Sequence, residues 1–246
     1  MRPPDWQTPD GSVQLHCCDC LELLPTLEAG SVDAVVTDPD YGTGGWRRNA
    51  SGNGSDPSAF LVREEWDEGL FAWVDGRWPT IAFCAPSTAH RLLAKAIQCG
   101  LTKHRQLYWR KPDPKPMPLG RIRWSVEPAW VLSRDGFQLY GGDDWTLAST
   151  PRMNRDEDAV DHPYQKPLEV LEWLLEKVPA CLSILDPFMG SGTTGVACVR
   201  TGRRFIGCEI EEKYFKISCE RIQREIDRFP LFEKKQDVQL DFLSTP

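Results

Sequence analysis

A glycine-rich turn late in the chain is the first feature that predicts chemistry. Residues 186–195 read DPFMGSGTTG, in which Gly190, Gly192 and Gly195 have the G-x-G-x-x-G spacing. Glycines let such a turn close and let its backbone approach a ligand, and the N–H groups at the start of the following helix favour negative charge. The turn therefore predicts a ligand site between a strand and a helix.

Two acidic residues narrow the class of ligand. Glu209 lies 19 positions after Gly190 and ends the next predicted strand, where a carboxylate can accept both hydroxyls of a ribose. A P-loop is excluded because the turn lacks the Gly-Lys-Ser/Thr sequence that reaches nucleotide phosphates. Asp186 would repel a pyrophosphate but attract the ammonium of a methionine group. The pattern favours S-adenosylmethionine as the cofactor, and a dinucleotide-dependent oxidoreductase is the alternative.

A second cluster, Asp38-Pro39-Asp40-Tyr41, follows an apolar strand and so falls at the edge of an open α/β sheet where ligands bind. An exocyclic amine on a nucleobase is a poor nucleophile because its lone pair is delocalised into the ring. Hydrogen bonds from that amine to the Asp38 carboxylate and the Pro39 carbonyl would hold the lone pair towards a methyl donor. Tyr41 would supply a stacking face for an extruded base. Asp38, Pro39 and Tyr41 are therefore the predicted catalytic residues.

Together these motifs resemble the β class of amino-methyltransferases that act on DNA, the N6-adenine and N4-cytosine group. In that family a D/N/S-P-P-Y/F catalytic motif precedes a D-P-F-x-G-S-G-T-T cofactor motif, a circularly permuted order. This chain has the two elements at 38–41 and 186–194, and the resemblance extends from about residue 13 to 225. It implies base flipping and methyl transfer to DNA. Because Asp at the first motif position is commoner among the adenine enzymes, adenine N6 is the expected target, with cytosine N4, or RNA, as the alternative.

The resemblance also implies cofactor contacts elsewhere in the chain. Lys166 lies in His162-Pro163-Tyr164-Gln165-Lys166-Pro167, which is similar to a family element at the methionine end of the cofactor, and Asp19 is similar to an acid near its adenine. The expected cofactor-binding residues are Asp19, Asp38, Lys166, Asp186, Phe188, Gly190, Ser191, Gly192, Thr193 and Glu209.

One position departs from the family pattern, because Asp40 stands where the family has its second proline. A proline stiffens the turn that presents the Pro39 carbonyl, whereas aspartate is flexible there and adds a negative charge. A catalytically impaired DNA-binding homologue is therefore kept as an alternative to an active enzyme.

Alternating strands and helices must position these motifs. Strands are predicted at 13–17, 32–37, 80–84, 106–109, 127–132, 182–185 and 205–208, and helices at 21–27, 59–74, after an N-cap at Ser87, and at 166–177, 193–201 and 212–228. This alternation is typical of a Rossmann-like α/β fold with a mostly parallel sheet and helices on both faces. We expect residues 1–246 to form a single methyltransferase domain, with a mobile loop at 42–58 and a small target-recognition insertion at about 110–160.

The net charge of −7 is acidic for a protein that binds DNA, since neutralising phosphates supplies much of the affinity. Residues 103–134 offer an explanation, because they carry eight basic and only two acidic side chains. We expect double-stranded DNA to bind a local basic face. The candidate contacts are Trp46, Arg47, Arg48, Arg110, Lys111, Lys115, Arg121 and Arg123.

The composition excludes other classes of protein. No apolar run approaches the ~18 residues of a membrane span, and the N-terminal segment lacks the apolar core of a secretory signal, so we expect a cytoplasmic protein. The nine cysteines are scattered through apolar runs, and the C-x-x-C at Cys17 and Cys20 has no second pair at zinc-ligand spacing, so no metal site is expected. A short insertion is consistent with help from a second subunit. A homodimer and a cognate restriction enzyme therefore stay open as partners.

Overall fold

Nine strands and five α-helices form within the residues that the computed structural model describes, 2–39, 71–111, 126–136, 146–147 and 165–228. The strands are β1 (Trp6–Gln7), β2 (Val13–Cys17), β3 (Ala34–Thr37), β4 (Thr80–Phe83), β5 (Lys103–Arg110), β6 (Val126–Ser133), β7 (Thr146–Leu147), β8 (Ser183–Asp186) and β9 (Arg204–Glu209). The α-helices are α1 (Cys20–Leu23), α2 (Ala89–Gln98), α3 (Leu168–Glu176), α4 (Thr193–Arg200) and α5 (Glu212–Arg228).

The sheet is mostly parallel, as the alternation of elements predicts. Its strands lie in the order β1-β2-β9-β8-β3-β4-β6-β5-β7. Five neighbouring strands are parallel, namely β2, β9, β8, β3 and β4. β1 is antiparallel to β2, and β6 is antiparallel to both β4 and β5. The chain passes from β8 to β9 on one side and from β3 to β4 on the other, so the strand order reverses between β8 and β3. Ligands of open α/β sheets bind outside the carboxyl ends of the strands at such a point.

Helices cover both faces of the sheet, which confirms the predicted architecture. In β3, Ala34 and Val36 point into one hydrophobic core and Val35 into the other, as the alternation of a strand requires. Buried residues of α3, α4 and α5 belong to the first core, and those of α1 and α2 to the second. The strands are apolar on both faces because both faces are covered.

Several predicted boundaries differ from the structure for local reasons. The helix expected at 21–27 ends at Leu23 and continues as a 3-10 turn, because Pro25 has no N–H to donate to the preceding turn. The N-cap of α2 is Thr88, not Ser87. β5 is longer than predicted because it pairs with β6 along its whole length. Residues 126–133, which fall inside the predicted insertion, form a strand of the central sheet.

Other predictions lie outside the described residues, namely the loop at 42–58, positions 59–70 of the helix expected at 59–74, and positions 112–125, 137–145 and 148–160 of the predicted insertion. All nine cysteines are free and six of them are buried, as their apolar surroundings predict. No helix in the described ranges is long and apolar enough to cross a membrane.

Candidate active site

Asp186, the last residue of β8, joins three parts of the site. Its Oδ1 accepts hydrogen bonds from Thr37 Oγ1 at 2.7 Å and from the Phe188 N–H at 3.0 Å, and its Oδ2 accepts one from Thr194 Oγ1 at 2.6 Å. The end of β3, the glycine turn and the start of α4 are thus held by one carboxylate. The side chain is only 2% exposed. In the structure, the Asp186 carboxylate organises the turn. Its contact with the ammonium of the cofactor's methionine group stays a prediction.

Burial changes the acidity of this carboxyl group. It raises the pKa of Asp186 to about 6, although the hydrogen bonds from Thr194 and Thr37 act in the opposite direction by stabilising the charged form. Asp186 is therefore ionised at neutral pH and becomes protonated in mildly acidic solution.

The glycine turn has the backbone that its sequence predicts. Gly190 and Gly192 both have positive φ angles, of 52° and 80°. A Cβ atom on Gly192 would lie 2.8 Å from the Cβ of Ser218, and one on Gly195 would lie 2.8 Å from Cε1 of Phe205. Side chains at these positions would push α4 away from α5 and β9, so the glycines permit the close packing that places the start of α4 beside the site.

Arg221 of α5 holds the turn from behind, and the sequence reasoning missed it. Its Nη1 donates to the backbone oxygen of Ser191 at 2.6 Å, to Ser191 Oγ at 3.0 Å and to Thr193 Oγ1 at 3.2 Å. The side chains of Ser191 and Thr193, predicted to bind cofactor, are buried against this arginine. The signal that could have found Arg221 is helical periodicity, because Ser218, Arg221 and Ile222 share the buried face of α5.

Glu209, predicted to hold a ribose, lies beside the turn. Its Oε2 accepts the N–H of Gly190 at 3.0 Å and its Oε1 accepts the N–H of Glu211 at 2.8 Å, while burial raises the pKa of the carboxyl group. β2 ends next to it, since Cys17 pairs with Glu209 in the sheet. Asp19 follows on the same edge, and its carboxylate caps α1 by accepting the N–H of Leu21 at 2.9 Å.

Asp38, the residue after β3, belongs to a row of alternating charges that we call the charged row: Asp38, Lys166, Glu127 and Lys111. Lys166 Nζ lies 2.6 Å from Asp38 Oδ2 and 2.5 Å from Glu127 Oε1, and Lys111 Nζ lies 2.7 Å from Glu127 Oε2. Lys166, predicted to lie near the cofactor, is thus brought into direct contact with the predicted catalytic acid.

The middle of the charged row is buried among aromatic rings. The side chains of Lys166 and Glu127 are 10% and 7% exposed, and Lys166 Nζ lies 4.7 Å from the centre of the Phe83 ring and 5.8 Å from that of Trp109. Burial alone would lower the pKa of Lys166, but the charges of Asp38 and Glu127 outweigh it and raise that pKa. Burial alone would raise the pKa of Glu127, but Lys166 and Lys111 lower it. Both groups are therefore charged at neutral pH.

Glu127 is the second residue that the sequence reasoning missed. The sequence pattern predicts only that it begins a strand and is one of two acids in a basic segment. The available signal was a lone carboxylate inside the apolar run Val126–Ser133, since a charge is buried in such a strand only when it is paired.

The remaining predicted residues fall into two groups. Arg110 is exposed at the end of β5, and Phe188 is half-buried with its ring 5.6 Å from that of Trp73. Lys111, expected to contact DNA, is paired with Glu127. Asp40, Tyr41, Trp46, Arg47, Arg48, Lys115, Arg121, Arg123 and His162 lie outside the described residues.

Comparison with known protein families identifies one match that covers most of the chain. Residues 32–220 match the family N6_N4_Mtase, described as DNA methylase. The type II methyltransferase M2.LlaDCHI of Lactococcus lactis subsp. cremoris is 41% identical over an alignment 257 positions long, which covers 87% of this chain and 90% of that protein. The type II methyltransferase M2.DpnII of Streptococcus pneumoniae is 44% identical over 96 residues, which cover 37% of this chain and only 33% of that protein.

Solved structures resemble the fold over most of its length. The M1.HpyAVI–SAM complex matches with a TM-score of 0.64 and 23% identity, covering 85% of this chain and 99% of that one. The PvuII DNA methyltransferase, described as cytosine-N4-specific, matches with a TM-score of 0.66 and 19% identity, covering 93% and 94% of the two chains. At these identities the likeness establishes the fold alone.

Proposed function

Because the chain belongs to the N6/N4 DNA methylase family, we propose that it transfers a methyl group from S-adenosylmethionine to the exocyclic N6 of adenine in double-stranded DNA. The family makes the protein an S-adenosylmethionine-dependent DNA methyltransferase and removes the oxidoreductase alternative. One observation carries the proposal for the site. Asp38 and the glycine turn follow neighbouring parallel strands, β3 and β8, and the Thr37–Asp186 hydrogen bond joins them where the strand order reverses.

The residues at this edge fit the cofactor. Gly190 and Gly192, which both have positive φ angles, carry no side chains, and the side chain of Ser191 between them is buried against Arg221. The Glu209 carboxylate is fixed beside the turn by two backbone N–H groups. Glu209 is suited to accept the ribose hydroxyls, and the start of α4 is suited to the cofactor's carboxylate. S-adenosylmethionine supplies an activated methyl group when bound.

The contribution of Asp38 and Pro39 is to orient the target amine. A carboxylate and a backbone carbonyl that both accept hydrogen bonds from the amine would direct its lone pair towards the methyl donor. Since the donor is already activated, most of the rate enhancement would come from positioning. Asp38 also supports adenine as the target, because the family resemblance associates Asp at this position with adenine N6.

The proposal extends to partners. The relatives are named type II methyltransferases, which supports a cognate restriction enzyme that acts on the same DNA sequence. A homodimer is the second part of the proposal, because the predicted target-recognition insertion is short.

Identification of the methylated nucleoside tests this function. The purified chain is incubated with duplex DNA of mixed sequence and methyl-labelled S-adenosylmethionine, and the DNA is digested to nucleosides. We expect label in N6-methyladenine, and Asp38→Ala should lower the rate at least about 100-fold because the amine loses an acceptor. Label in N4-methylcytosine would contradict the base. DNA binding without any label would favour the catalytically impaired homologue that Asp40 suggests.

A further inference from the structure

We propose that Glu127 is a positioning residue for methyl transfer, which acts through Lys166: it shares the Lys166 ammonium with Asp38 and so sets the position and the acceptor strength of the Asp38 carboxylate. This inference rests on the proposed function, because it concerns how Asp38 receives the target amine.

The contacts place Glu127 one step away from the catalytic acid. Asp38 follows β3, Glu127 lies in β6 and Lys166 immediately precedes the segment that enters α3, so three distant parts of the chain meet at one ammonium. β6 is separated from β3 by β4 in the sheet. Glu127 is thus linked to Asp38 by way of the Lys166 side chain.

Two carboxylates on one buried ammonium divide its charge. Removing charged groups from water is expensive unless each one is paired and hydrogen-bonded. With Glu127 present, Asp38 supplies only part of the compensation that Lys166 requires. Without that second carboxylate, Asp38 would be the partner that compensates most of the Lys166 charge, so more of the Asp38 charge would be neutralised and the carboxylate would be a weaker acceptor for the amine.

The structure also indicates that Glu127 is ionised and fixed. It is held from the solvent side by Lys111, whose side chain is 41% exposed and whose Nζ lies 5.5 Å from the centre of the Trp109 ring. Trp109 is paired directly opposite Glu127 in the sheet. A carboxylate contacted by two ammonium groups and backed by a neighbouring strand has little freedom to move, as a positioning role requires.

The decisive variant is Glu127→Gln, which keeps the size of the side chain and removes its charge. We expect kcat for methyl transfer to fall about tenfold or more, while the dissociation constant of S-adenosylmethionine, measured by calorimetry, changes less than about threefold. Because Glu127 acts through Lys166, the same substitution should lower kcat less than about twofold in a Lys166→Met background.

Glu225→Gln is the matched control. Glu225 is another buried glutamate, 4% exposed, whose Oε1 lies 2.6 Å from Nε of Arg200 on the helical side of the molecule. This variant should lower thermal stability, because the Arg200 guanidinium keeps its contact with Glu172 but loses the charged partner at Nε, and it should leave kcat unchanged. If Glu127→Gln does not fold, Glu127→Leu combined with Lys166→Met is compared with Lys166→Met alone, since an apolar pair can replace a buried ion pair.

The outcomes distinguish a failure of the proposed function from a failure of this inference alone. Failure of the wild-type chain to label any base overturns the proposed function and this inference with it. A labelled wild type and a Glu127→Gln variant with kcat within about twofold of it overturn the inference alone. The inference is also overturned if Glu127→Gln lowers kcat as much in the Lys166→Met background as in the wild type. It is overturned equally if the double variant Glu127→Leu/Lys166→Met has a lower kcat than Lys166→Met alone. Either result shows that Glu127 does not act through Lys166.

Discussion

Asp186 shows how one side chain can balance opposed electrostatic effects at the residue scale. It lies in the core, where burial disfavours its charge, yet three protein donors aim at its two oxygens. In the charged row the cost of burying charge is offset in another way, because Lys166 and Glu127 form an ion pair. A buried carboxylate held by hydroxyl and amide donors keeps a raised pKa, whereas a carboxylate beside two cations has a lowered one.

The raised pKa of Asp186 predicts a pH dependence of stability. Its folded-state pKa of about 6 lies above the ordinary value of 3.8, so between these values the folded chain binds the proton and the unfolded chain does not. The free energy of unfolding that Asp186 contributes must therefore fall as pH rises from about 4 to about 6.

Asp186→Asn isolates this effect because it keeps the size of the side chain and cannot ionise. Denaturant unfolding of both proteins at pH 4.5 and pH 7.5 measures it. We expect the variant to gain stability relative to wild type at the higher pH. A difference between the two proteins that is the same at both pH values, or that moves in the opposite direction, would contradict the assignment.

At the scale of elements, the site depends on how closely α4 approaches its neighbours. The helix starts at a glycine in the left-handed region and has Arg221 of α5 behind its first turn. Asp186 and Thr194 then tie its first turn to β8. The helix start is therefore fixed by contacts with both the sheet and α5, which suits a segment that must present its N–H groups to a ligand.

Gly192→Ala tests that close approach. The new Cβ would meet Ser218 in a backbone conformation, φ +80°, that alanine avoids. We expect the free energy of unfolding to fall by about 3 kcal/mol from strain and overpacking together. Binding of S-adenosylmethionine should weaken more than about tenfold, as measured by calorimetry.

Gly202→Ala, just beyond the other end of α4, is the control for backbone strain. Gly202 also has a positive φ, of +68°, but nothing lies within 4 Å of its added Cβ. This variant should lose only about 1 kcal/mol and bind the cofactor normally. Equal effects of the two substitutions on binding would show that the contact with Ser218 is unimportant.

At the scale of the whole molecule, an acidic protein must direct DNA to one edge. The net charge is −7. β5 is antiparallel to β6, which is antiparallel to β4, so β5 runs in the direction of the parallel strands. Arg110 ends β5 and therefore lies at the same edge of the sheet as Asp38 and Asp186, whereas Arg204 begins β9 at the opposite edge. Of these two arginines, only Arg110 is therefore positioned to contact DNA at the site.

Salt dependence of DNA binding distinguishes these two exposed arginines. Arg110→Gln should weaken binding and reduce the slope of log K against log salt by about 0.9, the effect of one lost phosphate contact. Arg204→Gln removes the same charge from the far edge and should leave the slope unchanged. Titration of labelled duplex DNA over a range of salt concentrations provides the measurement, and similar slopes for both variants would place DNA elsewhere.

Much of the fold and the outline of the site could be predicted from the sequence because their signals are local. The apolar run before Asp38 predicts a covered parallel strand, and the spacing of Gly190 and Gly192 predicts a tight turn into a helix. Glu209 could be placed beside the turn because the acid follows the next strand. Each of these inferences depends on neighbours in the chain or on a spacing within one supersecondary unit.

Only the tertiary structure decided which distant side chains form ion pairs and hydrogen bonds with each other. Lys166 and Asp38 are 128 positions apart, and Thr37 and Asp186 are 149 apart. Helical periodicity can place Arg221 on the buried face of α5, but it does not predict that the arginine contacts Ser191, just as no local pattern predicts that Glu127 lies opposite Trp109. These contacts follow from the order and direction of the strands and from the packing of α5. Burial then raises the pKa of Asp186 and makes a charged partner necessary for Glu127, because the energy of a charge depends on the surroundings that the whole fold creates.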